Sequence, residues 1–166
     1  PQENVEFVRN NVKKYNPTAR IIHASSEITV SDPKKIKNKR VVVVEDGPTL
    51  THGGMKFGAG TIAAQRYNCK IIDPRPYAVG SIKQIFKKYK HLGNVLPAMG
   101  YNKKQKEELQ RTINRCKCDV VVVGTPIDLR KILKINKPAV RIRYDLEQIG
   151  RYKLEKFIDI VLGKRR

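Results

Sequence analysis

The sequence predicts an α/β fold, with a mainly parallel sheet and helices on both faces in the three-layer arrangement of Rossmann-like domains. Two runs of four valines, residues 41–44 and 120–123, show no polar alternation, which is typical of strands that are buried on both faces. Each run leads into a loop with glycine and proline, and amphipathic segments lie between the runs. This alternation indicates parallel strands joined by helices.

The other elements follow from periodicity and from helix-breaking residues. Apolar residues recur at helical spacing from Val5 to Tyr15, and Asn16-Pro17 ends that helix. The remaining predictions are strands at 20–24, 70–73 and 139–144, and helices over 82–89, from about residue 103, and over 154–161.

The chain has a formal charge of +20, from 35 Lys and Arg against 15 Asp and Glu. Such a charge suits polyanions or phosphorylated metabolites, but lysines spread along the chain are also typical of a thermophile surface. With seven Tyr, four Phe and no Trp, platforms for stacking bases are sparse. We therefore do not expect nucleic acid to be the main partner.

Several protein classes are disfavoured by composition. No apolar run reaches the roughly 18 to 20 residues of a membrane span, and the first residues do not resemble a signal peptide. An odd number of cysteines, three, fits a reducing compartment. We expect a cytoplasmic protein without membrane attachment, and no metal site at Cys116-Lys117-Cys118, because a second ligand pair is missing.

The first candidate loop follows the valine strand and reads EDGPTLTHGGMKFGAG, residues 45–60. Glycines let backbone amides approach an oxyanion, and a helix start adds partial positive charge. We predict phosphate contacts at three glycines and one lysine, and an acid or base role for two side chains; a tight crossing of chains is the structural alternative. The phosphate-binding residues are Gly53, Gly54, Lys56 and Gly58, and the catalytic candidates are His52 and Asp46.

The second candidate loop reads DPRPYAVGSIKQ, residues 73–84. Arg75 could fork onto phosphate oxygens near the free amides of Gly80 and Ser81, and Ser81 has capping-box spacing with Gln84. The alternative is a rigid turn in which Arg75 pairs with Asp73.

The third candidate loop reads GTPIDLRKIL, residues 124–133. Thr125 is placed as a helix cap, Pro126 as the first helical residue and Asp128 three residues after the cap. These roles are structural by default, although a phosphate could share the exposed amides near Thr125. In a fourth segment, LPAMGY, Met99 and Tyr101 could form apolar walls.

These four segments, in this order, resemble the carboxy-terminal region of predicted archaeal and bacterial GTPases related to cyclic 2,3-diphosphoglycerate synthetase. The resemblance covers roughly residues 5–150. It implies an upstream P-loop domain with a Walker motif and an Asn-Lys-x-Asp segment, neither of which occurs in this sequence. Residues 1–39 would then be the last helix and strand of that domain plus a linker, and residues 40–166 a carboxy-terminal α/β phosphate-ligand-binding domain.

The resemblance also implies a function. Residues Ala24, Ser25 and Ser26 fall at the place of a base-contacting loop. The complete protein would use GTP or ATP with Mg²⁺ to act on a phosphorylated small molecule, as a GTPase or a ligase of the synthetase type, whereas this chain alone would not hydrolyse a nucleotide. Its partner would be the P-loop domain or subunit, and a homo-oligomer is left open. A noncatalytic module that binds a metabolite or nucleotide, and a basic nucleic-acid-binding domain, are the alternatives.

Overall fold

The computed structural model describes residues 2–100, 102–150 and 152–163. Helices and strands alternate along most of the chain, as predicted. The helices are α1 Gln2–Tyr15, α2 Pro33–Ile36, α3 Gly47–Thr51, α4 Ala59–Arg66, α5 Gly80–Lys88, α6 Lys103–Arg115 and α7 Leu154–Val161, with 3₁₀ turns at Arg75–Tyr77 and Leu129–Lys131. The strands are β1 His23–Val30, β2 Arg40–Asp46, β3 Lys70–Ile71, β4 Leu96–Ala98, β5 Val120–Gly124 and β6 Ala139–Ile149.

The sheet has six strands in the order β1-β6-β5-β2-β3, and β4 also pairs with β2. Strand β2 is parallel to β3, β4 and β5, and β5 is parallel to β6. The valines of β2 and β5 pair in register, Val41 with Val120 and Val44 with Val123. The predicted fold class, a mainly parallel Rossmann-like sheet with helices, is confirmed.

By contacts the chain divides into two units, 28–144 and a second unit formed by the residues before 28 and after 144. In the 28–144 unit, Val41 and Val43 belong to one apolar cluster and Val42 and Val44 to another, so the sheet carries a core on each face. The second unit contains α1 and α7, and none of its described residues is buried. The division predicted between residues 39 and 40 rests on the resemblance and stays a prediction.

The predicted position of the first strand was wrong. The first strand covers His23–Val30, not 20–24, because the polar segment HASSEITV forms the strand in place of the more apolar segment before it. The segment 31–39, where the sequence predicts a linker, contains the short helix α2, which is capped by Asp32 and buries Ile36 completely. Among the described helices, none is both long and apolar enough to cross a membrane.

Candidate active site at the strand ends

Strands β2, β4 and β5 end at one edge of the sheet in the 28–144 unit, and the loops that follow them surround a cavity of about 170 Å³. In open parallel sheets this edge is where ligands bind. We call this cavity the strand-end cavity. It is lined by Asp46, Pro48, Ala98, Met99, Gly100, Lys106, Leu109, Thr125, Ile127, Leu129, Ile132 and Leu133.

The walls of the strand-end cavity are mainly apolar, with few polar groups. Leu109, Leu129 and Leu133 are buried, and Met99 packs against the same cluster. The ionisable side chains in the lining are Asp46 and Lys106. Apolar walls with a few polar groups are the usual composition of a site for a small molecule.

Asp46 combines a structural role with one unused oxygen. Its Oδ2 accepts hydrogen bonds from Thr49 N at 3.1 Å and Thr49 Oγ1 at 2.8 Å, and it thereby caps α3. No described residue donates a hydrogen bond to Oδ1. Lys106 is exposed, and its ammonium has no ion pair among the described residues. The cavity therefore has a carboxylate and an ammonium that could contact a charged ligand.

The third candidate loop, GTPIDLRKIL at residues 124–133, forms one wall of the cavity, and its local structure differs from the prediction. No α-helix begins at Thr125; a 3₁₀ turn begins at Leu129, and Asp128 is its cap. The reason is that the Asp128 carboxylate accepts hydrogen bonds from Arg130 N, Nε and Nη2. These bonds stabilise a turn that begins at Leu129, three residues after the predicted helix start at Pro126. These hydrogen bonds lower the pKa of Asp128 to about 2. Thr125 is buried and lines the cavity, whereas its predicted contact with a phosphate stays a prediction.

Arg141 supports the same loop from β6. Its Nη2 donates to the Pro126 carbonyl at 2.9 Å, and its Nη1 lies 3.8 Å from Asp128. Its Nε is buried without a hydrogen-bond partner among the described residues. The loop that forms one wall of the cavity is thus fixed by two arginines and one carboxylate.

The glycine loop is organised by a carboxylate of the chain itself. Glu45 is 1% exposed, and it accepts hydrogen bonds from Gly58 N at 3.0 Å, Gly60 N at 3.2 Å, Thr61 N at 2.7 Å and Thr61 Oγ1 at 2.8 Å. A Cβ at Gly58 would lie 2.8 Å from Glu45 Oε2, and one at Gly124 would collide with the same oxygen. The amides at the start of α4 therefore bind Glu45, and the Gly58 amide predicted to bind phosphate is already paired.

The second predicted anion site is also occupied from within. Both the Ser81 amide and the Ser81 hydroxyl donate to Glu108 Oε2, at 2.9 and 2.5 Å. Gly80 has a φ of +51°, and a Cβ there would collide with Glu108. The predicted Ser81–Gln84 capping box was wrong, because Val79 is the cap residue and the Ser81 side chain bonds to Glu108.

Arg75 bonds to Asp73 in its own loop and to the segment 92–94. Its Nη1 donates to Asp73 at 2.9 Å and to Asn94 at 3.1 Å, and its Nη2 donates to the Leu92 and Gly93 carbonyls. The pairing of Arg75 with Asp73, the structural alternative, is thus present. A phosphate at Arg75 would have to compete with these partners.

The predicted residues between α3 and α4 lie in an exposed segment. His52, Gly53, Gly54 and Lys56 are exposed, and Gly54 has a φ of +65°. The His52 Nδ1 lies 3.0 Å from the Thr51 hydroxyl. Lys56 lines a cleft of about 220 Å³ at the sheet edge, together with Phe57, Thr61, Gln65, Ile71, Gly93, Asn94 and Val95.

The predicted sites are therefore distributed over several places. Asp46 and Thr125 meet at the strand-end cavity, and Lys56 lies at the edge cleft. Ala24, Ser25 and Ser26 lie on β1 in the second unit, with Ala24 and Ser26 exposed. Tyr101 is outside the described residues. In the ranges that the structure describes, no three His, Cys, Asp or Glu side chains form a group that could hold a metal ion.

Sequence reasoning missed Glu45, Glu108 and Lys106. A signal for the first two was present: Glu45 directly follows the four valines of β2, and Glu108 lies one turn before Thr112 on the buried stripe of α6. A buried carboxylate needs hydrogen-bond donors, and the nearest unpaired donors are the amides at helix starts. For Lys106 no sequence signal separated it from the other lysines of α6.

The chain is 57% identical, over 159 residues and 95% of its length, to the arginine synthetase ArcE of Thermococcus kodakarensis. The match covers 36% of that protein, so this chain spans about a third of the relative's length. No protein-family profile matches the chain, and no solved structure gives a significant match. The chain is thus related to part of a synthetase, whereas the cyclic 2,3-diphosphoglycerate and GTPase specifics of the earlier resemblance stay predictions.

Proposed function

We propose that this chain is the small-molecule-binding part of a nucleotide-dependent synthetase, and that the strand-end cavity holds an amino acid of the arginine type. The observation that carries the proposal is the apolar strand-end cavity with Asp46 and Lys106 in its lining. At about 170 Å³ it is smaller than the roughly 300–1,000 Å³ pockets of drug-sized ligands, and so it suits a small metabolite.

Each end of such an amino acid has a matching group. The guanidinium would meet Asp46 Oδ1, which has no partner among the described residues, since a carboxylate and a guanidinium form strong charge-assisted hydrogen bonds. The aliphatic chain would lie against Met99, Leu129 and Leu133, and the α-carboxylate would face Lys106. The name of the relative supports this choice of ligand over other cations.

A synthetase that uses a nucleotide must also bind phosphate groups, and the phosphate contacts predicted from the sequence are candidates for this role. Gly53, Gly54 and Lys56 remain candidates because they are exposed and Lys56 lines the edge cleft. His52 stays a candidate acid or base. The Mg²⁺ expected of the complete synthetase stays a prediction for this part of the chain. Hydrolysis of the nucleotide would belong to the rest of such a synthetase.

Isothermal titration calorimetry with L-arginine tests the proposal. The Asp46→Asn variant keeps a good helix cap for α3 but removes the charge, so arginine should bind about tenfold or more weakly. The control is Glu107→Gln, which also removes one negative charge, at an exposed position on α6. It should leave the affinity for arginine unchanged. L-norleucine, which lacks the guanidinium, should bind weakly to both the parent protein and Asp46→Asn.

Two outcomes would count against the proposal. Equal arginine affinity in the parent and in Asp46→Asn would remove the cavity as the site. Binding of free phosphate compounds, but not of arginine, would favour the phosphorylated ligand that the sequence predicted.

A different result bears on the noncatalytic alternative. If arginine binds but is not converted when a nucleotide-hydrolysing partner is present, that alternative gains support.

A further inference from the structure

A second hollow lies in the other unit of the chain, between α1, the segment after it, and α7. Its volume is about 480 Å³. We call it the basic hollow. The residues that give it its character are Arg9, Lys13, Arg20, His23, Tyr152 and Phe157.

The lining of the basic hollow is cationic. Arg9, Lys13, Arg20 and His23 line it, and none of its nine lining residues is acidic. Arg9 has one exposed ion pair, with Glu6 at 3.3 Å, and such a pair contributes little to stability. An anion that entered the hollow would therefore meet the positive groups of Arg9, Lys13 and Arg20, and no carboxylate among the described residues that line it.

Two cationic side chains are already oriented. The Lys13 ammonium donates to the carbonyls of Pro17 at 3.2 Å and Ala19 at 2.8 Å, which fixes the turn after α1. The Arg20 guanidinium lies over the Phe157 ring, 4.7 Å from its centroid. No described residue accepts a hydrogen bond from this guanidinium. Stacking fixes its plane and leaves the donors at its edge free for phosphate oxygens.

The hollow also carries an aromatic surface. The Tyr152 and Phe157 ring centroids are 6.1 Å apart, with 32° between their planes. Tyr152 is 63% exposed, so most of its ring is open. Planar bases stack on such rings regardless of base identity. A phosphate alone would use the cations but not this surface.

We propose that the basic hollow binds a nucleoside phosphate, with the base on Tyr152 and the phosphates on Arg20, Arg9 and Lys13. This inference deepens the proposed function and rests on it in one respect: a nucleotide-dependent synthetase must hold a nucleotide. It places that contact in the unit formed by the residues before 28 and after 144. His23 precedes Ala24, Ser25 and Ser26, the segment predicted to contact a base.

The test is a set of titrations of the protein with ADP, pyrophosphate and adenosine. ADP should bind, pyrophosphate should bind more weakly, and adenosine should bind most weakly. Arg20→Gln should weaken ADP about tenfold or more, because a charge-assisted contact to phosphate is lost. Tyr152→Leu, at an exposed position where folding is not at risk, should weaken ADP but leave pyrophosphate unchanged.

The matched control is Lys14→Gln, which removes one charge from α1 at a residue outside the lining of the hollow. It should bind ADP like the parent. Equal affinity for ADP and pyrophosphate would overturn the base-stacking part, and ADP binding that is insensitive to both Arg20→Gln and Tyr152→Leu would overturn the site. Titration of L-arginine on the same variants separates the two proposals, since arginine binding should depend on Asp46 and not on Arg20.

Discussion

Replacing Glu45 by Gln should destabilise the protein without changing the shape of the side chain. Glu45 Oε1 accepts three hydrogen bonds, from Gly58 N, Thr61 N and Thr61 Oγ1, and Oε2 accepts one from Gly60 N at 3.2 Å. In the best orientation the glutamine carbonyl keeps the three bonds. Its NH₂ group then faces the Gly60 N–H, so two donors meet inside the protein with no acceptor.

The expected cost follows from two contributions. A buried donor left without its partner costs about 1–3 kcal/mol. Loss of a negative charge at a helix start, here the start of α4, removes about 0.3–1 kcal/mol more. The sum is about 1–4 kcal/mol in the free energy of unfolding. At about 2–4 °C per kcal/mol for a chain of this size, it lowers the melting temperature by about 3–16 °C.

Differential scanning calorimetry measures this change, with Glu107→Gln as the control because Glu107 is an exposed glutamate. Glu107→Gln should melt within about one degree of the parent, as surface substitutions usually do. If Glu45→Gln also melts within one degree of the parent, Glu45 does not hold the amides of the glycine loop, and those amides would again be available for a phosphate.

Two further predictions concern other buried groups. Hydrogen bonds from Ser81 lower the pKa of Glu108 below its ordinary 4.5. The ionised Glu108 therefore stabilises the folded protein above pH 4.5, and this stabilisation is lost as the pH falls through the lower pKa of the folded state. In thermal scans Glu108→Gln should melt several degrees below the parent at pH 7, and the difference between the two melting temperatures should close in acid. Burial raises the pKa of the Cys116 thiol to about 12. A disulfide reagent at pH 8 should therefore label the half-buried Cys69 before Cys116 in the folded protein. Labelling of both thiols at the same rate would contradict the burial of Cys116.

The central strands could be predicted because their sequence allows few alternatives. A run of four valines has no polar face, so it must be covered on both sides, and β2 and β5 are covered in this way. Strand β1 was misplaced for the converse reason. Its exposed, polar residues gave a weaker signal than Ile21 and Ile22, which precede it.

The candidate site was predictable in part. The strand-end location of Asp46 and Thr125 followed from the parallel sheet, and both line the cavity. The predicted phosphate contacts at Gly58 and Ser81 were inferred from free helix-start amides, but the sequence does not show which distant side chain will reach those amides. Glu108 is 27 residues from Ser81, so its contact depends on how α5 and α6 pack.

The most direct test of the account is a titration of L-arginine into the protein with ¹³C-labelled methyl groups, followed by NMR. We predict that shift changes concentrate on the methyl groups of Met99, Ile127, Leu129 and Leu133 in the strand-end cavity. In Asp46→Asn the same changes should need an arginine concentration that is higher by about tenfold or more. Shift changes that lie elsewhere in the chain, or that persist unchanged in Asp46→Asn, would contradict the assignment of the cavity as the amino-acid site.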